Sequence, residues 1–189
     1  MTLSVNRRAI IFVVATCFAE FASWWWGGLG GEGAVELFIF YAVLIIHSFF
    51  SLSFLDKIMP DSGVLEQTID IILFLFYLGM AFSFNMASIF IFLGISMFTL
   101  ATLKYILLSK QFGQFRINLR EKIRANCLGI SLLLIVLAGV IGGYRLLALR
   151  TLVLTYIAAT IYYLFIHQIY KEEGTGSIIH PVTARRPQV

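Results

Sequence analysis

The apolar residues of this chain are grouped in blocks of about 20, separated by short polar or glycine-rich breaks. A helix needs about 20 apolar residues to cross the roughly 30 Å hydrocarbon core of a bilayer. Six such blocks occur, at about residues 9–27, 34–54, 65–84, 87–108, 125–143 and 148–169. The sequence therefore predicts an all-α polytopic membrane helix bundle with six transmembrane helices.

The composition excludes a water-soluble globular domain. Of the 189 residues, 60% are hydrophobic and 13% are charged, whereas soluble domains average about 45–50% apolar and about 25% charged residues. Residues 1–170 are expected to form a single transmembrane domain, followed by a polar cytoplasmic tail at 171–189. Five or seven spans stay open as alternatives, because the breaks FSFNMAS and GVIGGYRLLALR are short or weakly marked.

The first block is interpreted as a retained helix. Arg7 and Arg8 would suit a signal peptide, but the run 9–26 is too long for one and ends in three bulky tryptophans. Cys17 and Cys127 have no metal-binding or redox spacing, so two inert buried thiols are expected. No metal or other cofactor is predicted.

The lysine and arginine residues predict the orientation, because they concentrate in cytoplasmic loops. They are densest at the N-terminus, in the segment 109–124 and in the tail, which six spans place on one side. Both termini are therefore predicted to be cytoplasmic, in a multi-pass protein of a prokaryotic inner membrane. The net charge of +4 follows from this topology and indicates no nucleic-acid partner.

A set of polar residues lies within the apolar blocks. At a helical rise of about 1.5 Å per residue, Glu20 falls near the bilayer midplane, with His47 and Asp70 about 8–10 Å from the cytoplasmic face. Gln67 precedes Asp70 by three residues and shares its helix face. An ionised group at the bilayer centre costs at least about 2.5–3.5 kcal/mol. Glu20 is therefore expected to be neutral, paired within the bundle or bound to a partner.

Three interpretations of this polar cluster stay open. A neutral carboxylic acid beside a histidine that titrates near physiological pH is suited to a proton or cation relay. The same residues could instead be neutral, hydrogen-bonded contacts between helices. In the third interpretation, Glu20 contacts a helix of a partner protein.

Four further charged residues are predicted on the outer face, opposite the basic loops. Glu32 and Glu36 follow the tryptophans, and Arg145 and Arg150 flank the start of the last span. The two arginines are too few for a voltage sensor, which needs several at three-residue spacing. They are expected to reach the outer headgroups or to pair with the two glutamates.

The segment KQFGQFRINLREKIRA is predicted to be an amphipathic interfacial helix between the fourth and fifth spans. Phe112, Phe115, Leu119 and Ile123 recur at three- or four-residue steps, as on one face of a helix. The basic residues on its remaining surface are expected to bind anionic lipid headgroups; they are Lys110, Arg116, Arg120, Lys122 and Arg124. Lys104, near the end of the fourth span, is expected to extend to the membrane surface.

These features favour a small transporter or channel module that moves protons, ions or a small solute past the intramembrane cluster. A chain of this size is expected to act as a homo-oligomer or with a partner. The alternative is a non-catalytic subunit or assembly factor of a larger membrane complex. An intramembrane enzyme is disfavoured, because no nucleophile or metal-ligand motif is recognisable.

Overall fold

The computed structural model describes residues 7–58, 63–111 and 115–166, and these residues form six helices and no strands. The helices are α1 (Arg7–Gly27), α2 (Ala34–Ile58), α3 (Val64–Ala81), α4 (Ala87–Gln111), α5 (Arg116–Ile141) and α6 (Arg145–Ile161). A π-helical turn, Tyr162–Ile166, continues α6. The tail predicted at 171–189 lies outside the described residues.

Each of the six helices is long and apolar enough to cross a membrane, when α6 is taken together with its π-helical turn. The predicted helix bundle is therefore confirmed, and six spans are present in the described part of the chain rather than five or seven. The weak break around Asn85 is a real turn, since α3 ends at Ala81 and α4 begins at Ala87. The chain is a multi-pass membrane protein.

The six helices are arranged in a closed ring, in which each helix contacts two neighbours. Contacts run from α1 to α2, then to α6, α5, α4 and α3, and from α3 back to α1. Helices that are consecutive in sequence are antiparallel neighbours in most of this ring, as short connections require. Only α2 and α3 make few contacts with each other, and α1 lies beside both of them.

The turns that follow α1, α3 and α5 meet at one end of the bundle, here called the tryptophan end. The Asn85 side chain accepts a hydrogen bond from the Gly31 amide at 3.0 Å and donates to the carbonyls of Gly27 and Gly28, each at 3.3 Å. Arg145 Nη2 donates to the Asn85 carbonyl at 3.5 Å. One asparagine therefore joins all three turns.

A group of aromatic side chains, here called the aromatic plug, fills the bundle below this end. It consists of Phe40, Tyr41, Phe84 and Phe90, each at most 2% exposed. Ring centroids of Tyr41, Phe84 and Phe90 lie 5.6–6.4 Å apart, mostly edge-to-face, which is a favourable geometry for aromatic pairs. The plug closes the centre of the bundle on this side.

The opposite end, here called the basic end, differs from the prediction. The basic segment is not a separate interfacial helix, because α5 continues without interruption from Arg116. The described residues of the apolar stripe that was assigned to the membrane surface belong to the core: Leu119 packs with Leu55, Tyr105 and Leu108, and Phe115 and Ile123 lie against this group. Phe112, the fourth residue of that stripe, lies outside the described residues. Tertiary packing against α2 and α4 thus uses the face that the sequence assigns to lipid.

Candidate functional site

A cavity of about 390 Å³ occupies the half of the bundle nearest the basic end, and α1 to α5 all line it. It reaches Arg8 and Asp56 at the basic end of α1 and α2. At its other limit lies Tyr77, whose ring centroid is 6.2 Å from that of Tyr41 in the aromatic plug. The cavity therefore extends from the basic end to the plug.

Two of the predicted cluster residues, His47 and Asp70, line this cavity together, but each contacts a lysine rather than the other. The Asp70 carboxylate forms an ion pair with the Lys104 ammonium. His47 Nε2 lies 3.3 Å from Lys122 Nζ, within hydrogen-bonding distance. The His47 ring also lies beside that of Tyr156 on α6, with centroids 6.2 Å apart.

The expectations for both lysines are wrong. Lys104 was expected to extend to the membrane surface and Lys122 to bind lipid headgroups, yet they are only 4% and 2% exposed. Lys122 follows Leu119 by three residues and precedes Asn126 by four, so it shares their inward face of α5. The spacing of Leu119, Lys122 and Asn126, by three and then four residues, is visible in the sequence and indicates that the three side chains share one helix face.

The other basic residues of this segment are exposed. Arg116, Arg120 and Arg124 are spaced by four residues along α5 and form one outward stripe, and Lys110 is exposed at the end of α4. Arg124 also forms an ion pair of 2.5 Å with Glu121. The charge at the basic end is thus divided between an outer stripe and the cavity wall.

Hydroxyl groups complete the polar part of the wall, and no pattern in the sequence indicates them. Ser48 is hydrogen-bonded to the Tyr77 hydroxyl, and Ser51 to the Tyr105 hydroxyl at 2.5 Å. The Tyr41 hydroxyl donates to the Tyr77 carbonyl at 3.0 Å. These bonds join α2 to α3 and α4, where buried hydroxyl groups need partners.

Glu20 does not join His47 and Asp70. The α1 residue deepest in the cavity is Phe12, and Glu20 lies eight residues further on, about 12 Å along the helix. Glu20 is 7% exposed and lines a separate, almost wholly apolar pocket between α1 and α2, together with Cys17, Ile46 and Phe49. Within the described residues its buried Oε1 has no hydrogen-bond partner. Cys17 and Cys127 are both exposed, so the expectation of two buried thiols is wrong.

The remaining predicted residues lie away from the cavity. Gln67 is on the exposed side of α3. Arg150 Nε lies 3.2 Å from Glu36 Oε1, which is one of the pairings expected from the sequence. Arg145 contacts the Asn85 carbonyl, and Glu32 is exposed with no ion pair to Arg145 among the described residues.

The described residues contain no group of three or more His, Cys, Asp or Glu side chains placed to hold a metal ion. Comparison with protein-family models, curated proteins and solved structures finds no match for this chain. Functional inference therefore depends on the cavity, which combines apolar walls with buried amine, imidazole, amide and hydroxyl groups. Such a surface can bind and orient a small molecule.

Proposed function

We propose that this protein is a small membrane transporter module that binds its solute in the five-helix cavity. The carrying observation is the cavity itself: about 390 Å³ within membrane-spanning helices, with the buried Lys122 and the Lys104–Asp70 ion pair in its wall. Ligand sites in proteins commonly have volumes of about 300–1,000 Å³ and a few polar groups in an apolar lining. Ionisable residues inside a membrane commonly mark substrate pathways.

The two ends of the cavity support this proposal. Polar and charged residues extend to the basic end, whereas the aromatic plug closes the path towards the tryptophan end. In this proposal the solute enters from the basic end, and a site that is reached from one side and closed to the other corresponds to one state of an alternating-access cycle. In the proposed cycle, movement of the plug residues exposes the same site to the opposite side.

The test measures from which side of the membrane the cavity can be reached. Ala101 lines the cavity on α4 and has a small side chain. In a background with Cys17→Ala and Cys127→Ala, an Ala101→Cys variant is labelled with a membrane-impermeant thiol reagent in vesicles of either orientation. The proposal predicts labelling from both sides, with the slower side reporting the less populated state.

The matched control is Thr99→Cys, two residues away on the same helix and on its exposed face. If Thr99 faces lipid, its thiol should resist the reagent from both sides. Labelling of Ala101→Cys from one side only, in well-sealed vesicles, would contradict alternating access and leave a one-sided binding pocket.

We also propose that the exposed stripe of Arg116, Arg120 and Arg124, with Lys110, contacts anionic lipid headgroups. Basic side chains beside a membrane attract such lipids electrostatically. Replacing these four residues by glutamine should reduce the acidic phospholipid that is retained through detergent extraction. Unchanged lipid retention would count against this role.

The position of Glu20 favours a second candidate function, that of a subunit in a larger membrane complex. Its pocket is bordered by Cys17 and Ile46, which are exposed on α1 and α2. A partner helix with a hydrogen-bond donor could satisfy the buried carboxyl group. Native mass measurement after mild extraction should then detect a second protein bound to this chain. Glu20→Gln should weaken that association, and Glu32→Gln should not. A lone monomer or homo-oligomer would exclude this candidate.

A further inference from the structure

We propose that the solute of the cavity is a small amphipathic anion whose acid group binds between Lys122 and Asn126 of α5. This inference rests on the proposed transport function, because it names the class of molecule that the cavity accepts. It follows from the charge of the wall, from the donors on α5 and from the size and character of the remaining lining.

The first argument is the charge of the lining. Three cationic side chains, Arg8, Lys104 and Lys122, face two carboxylates, Asp56 and Asp70, which leaves one formal positive charge in excess. Asp70 is paired with Lys104, and Asp56 interacts electrostatically with Arg8 beside the first turn of α1. The lining therefore carries more cationic than anionic side chains, which favours a ligand with an acid group over one with an amino group.

The second argument is the pair of donors on α5. Lys122 and Asn126 are four residues apart and share one helix face, and both line the cavity. Asn126 is 6% exposed, and its buried Nδ2 has no hydrogen-bond partner within the described part of the chain. Buried amide donors are almost always satisfied in native structures, so a ligand oxygen is a suitable acceptor here.

The third argument concerns the rest of the molecule to be bound. The rest of the wall is mostly apolar and includes Leu44, Leu52, Phe74 and Met97. A volume of about 390 Å³ lies near the lower limit for small-molecule sites. The cavity therefore fits a ligand with one acid group on a single short chain or ring. Such a ligand could enter either from the bilayer or from the aqueous phase.

The experiment measures protection of Ala101→Cys against the thiol reagent, in the full-length protein in nanodiscs. Octanoate represents a membrane-partitioning acid and benzoate a water-soluble one, and octylamine and 1-octanol are the cationic and neutral controls. Octanoate, benzoate or both should protect the thiol, whereas octylamine and octanol should not. Protection by octanoate alone identifies a ligand drawn from the bilayer, and protection by benzoate identifies a free solute.

Variants of the α5 donors then locate the acid group. Lys122→Met should raise the acid concentration for half-protection about ten- to hundredfold, as expected for loss of a charged hydrogen-bond donor. Asn126→Leu should produce a smaller rise, and Lys122→Arg should preserve most of the protection. Leu128→Ala, at an exposed position of the same helix, is the control and should leave protection unchanged. If Lys122→Met does not fold, Asn126→Leu and Lys122→Arg still locate the site.

Equal protection by octylamine and octanoate, or acid protection that is unaffected in Lys122→Met and Asn126→Leu, would overturn the proposal. Failure of the acids to protect would also overturn it. That failure would leave the transport proposal standing if Ala101→Cys is still labelled from both sides. Conversely, protection by acids with one-sided labelling would establish an anion site without transport.

Discussion

The two ends of the bundle use the same six helices in opposite ways. At the tryptophan end, Asn85 joins three turns, and the buried aromatic rings of the plug pack against one another beneath them. At the basic end, the helices enclose a cavity whose wall contains the Lys104–Asp70 ion pair and hydrogen-bonded hydroxyl groups. The two ends therefore have different structural roles. The tryptophan end fixes the positions of the helices, and the basic end encloses the polar cavity.

The two ends should therefore respond differently to mutation. Close-packed interiors are sensitive to small increases in side-chain volume. A polar cavity wall is more sensitive to the loss of one member of a charge pair, because the remaining charge is left without compensation. Three variants test this contrast, and the largest effect is expected at the tryptophan end.

Gly33→Ala should destabilise the protein most. Gly33 has a φ of 78°, and an added Cβ would lie 2.3 Å from Cδ1 of the fully buried Leu149. The left-handed backbone should cost about 1–2 kcal/mol, and overpacking a further 1–3 kcal/mol or so. Thermal unfolding in detergent measures the combined loss.

Gly28→Ala separates these two contributions. Gly28 also has a positive φ, 61°, but an added Cβ would meet nothing within 4 Å. Its unfolding temperature should fall by less than that of Gly33→Ala. Equal decreases would mean that close packing at Gly33 contributes nothing, and the contrast between the two ends would lose its main support.

Lys104→Met should have the next largest effect, at the basic end. Removing one partner of a buried ion pair costs about 3–5 kcal/mol, but the Asp70 side chain is 35% exposed, so solvent should reduce the loss. The double variant Lys104→Met/Asp70→Leu should recover most of the stability. Purely additive losses in this double-mutant cycle would show that the pair is not coupled.

Asn85→Ala should have the smallest effect of the three. It removes the side-chain hydrogen bonds to Gly27, Gly28 and Gly31 and keeps the backbone carbonyl that accepts from Arg145. The lost bonds are exposed, so water can replace the side chain. A loss of about 1 kcal/mol is expected. Ser88→Ala, an exposed change at the same end, should shift the unfolding free energy by less than about 0.5 kcal/mol. A larger loss of unfolding free energy for Asn85→Ala would mean that the turns, rather than the plug, contribute most of the stability at this end.

The span count could be predicted because the bilayer thickness fixes the length of each apolar block. The composition of the site could be predicted only in part. Depth along a helix follows from residue number, and His47 and Asp70, which were placed at similar depth, line the same cavity. The direction in which a side chain points depends on packing. For this reason the prediction that Glu20 joins His47 and Asp70 was wrong.

The two lysines illustrate the same limit. A basic residue near the end of a span normally extends to the surface, and nothing in its immediate neighbours contradicts that expectation for Lys104. Its partner, Asp70, is 34 residues earlier in the chain. Lys122 was assigned to an exposed helix because the apolar stripe beside it suits a membrane surface as well as a protein core. Pairings of this kind become visible only when the helices are assembled.

The Lys104–Asp70 ion pair also has a consequence for biosynthesis. Asp70 is six residues from the start of α3 and Lys104 is seven from the end of α4, with only residues 82–86 between the two helices. Either charge alone would make its span costlier to insert, whereas a hairpin brings both into the bilayer already neutralised. The two spans are thus suited to enter the membrane as one unit. A nascent chain that stops after α3 should insert that span less completely than one that stops after α4, and equal insertion would show that Asp70 enters without its partner.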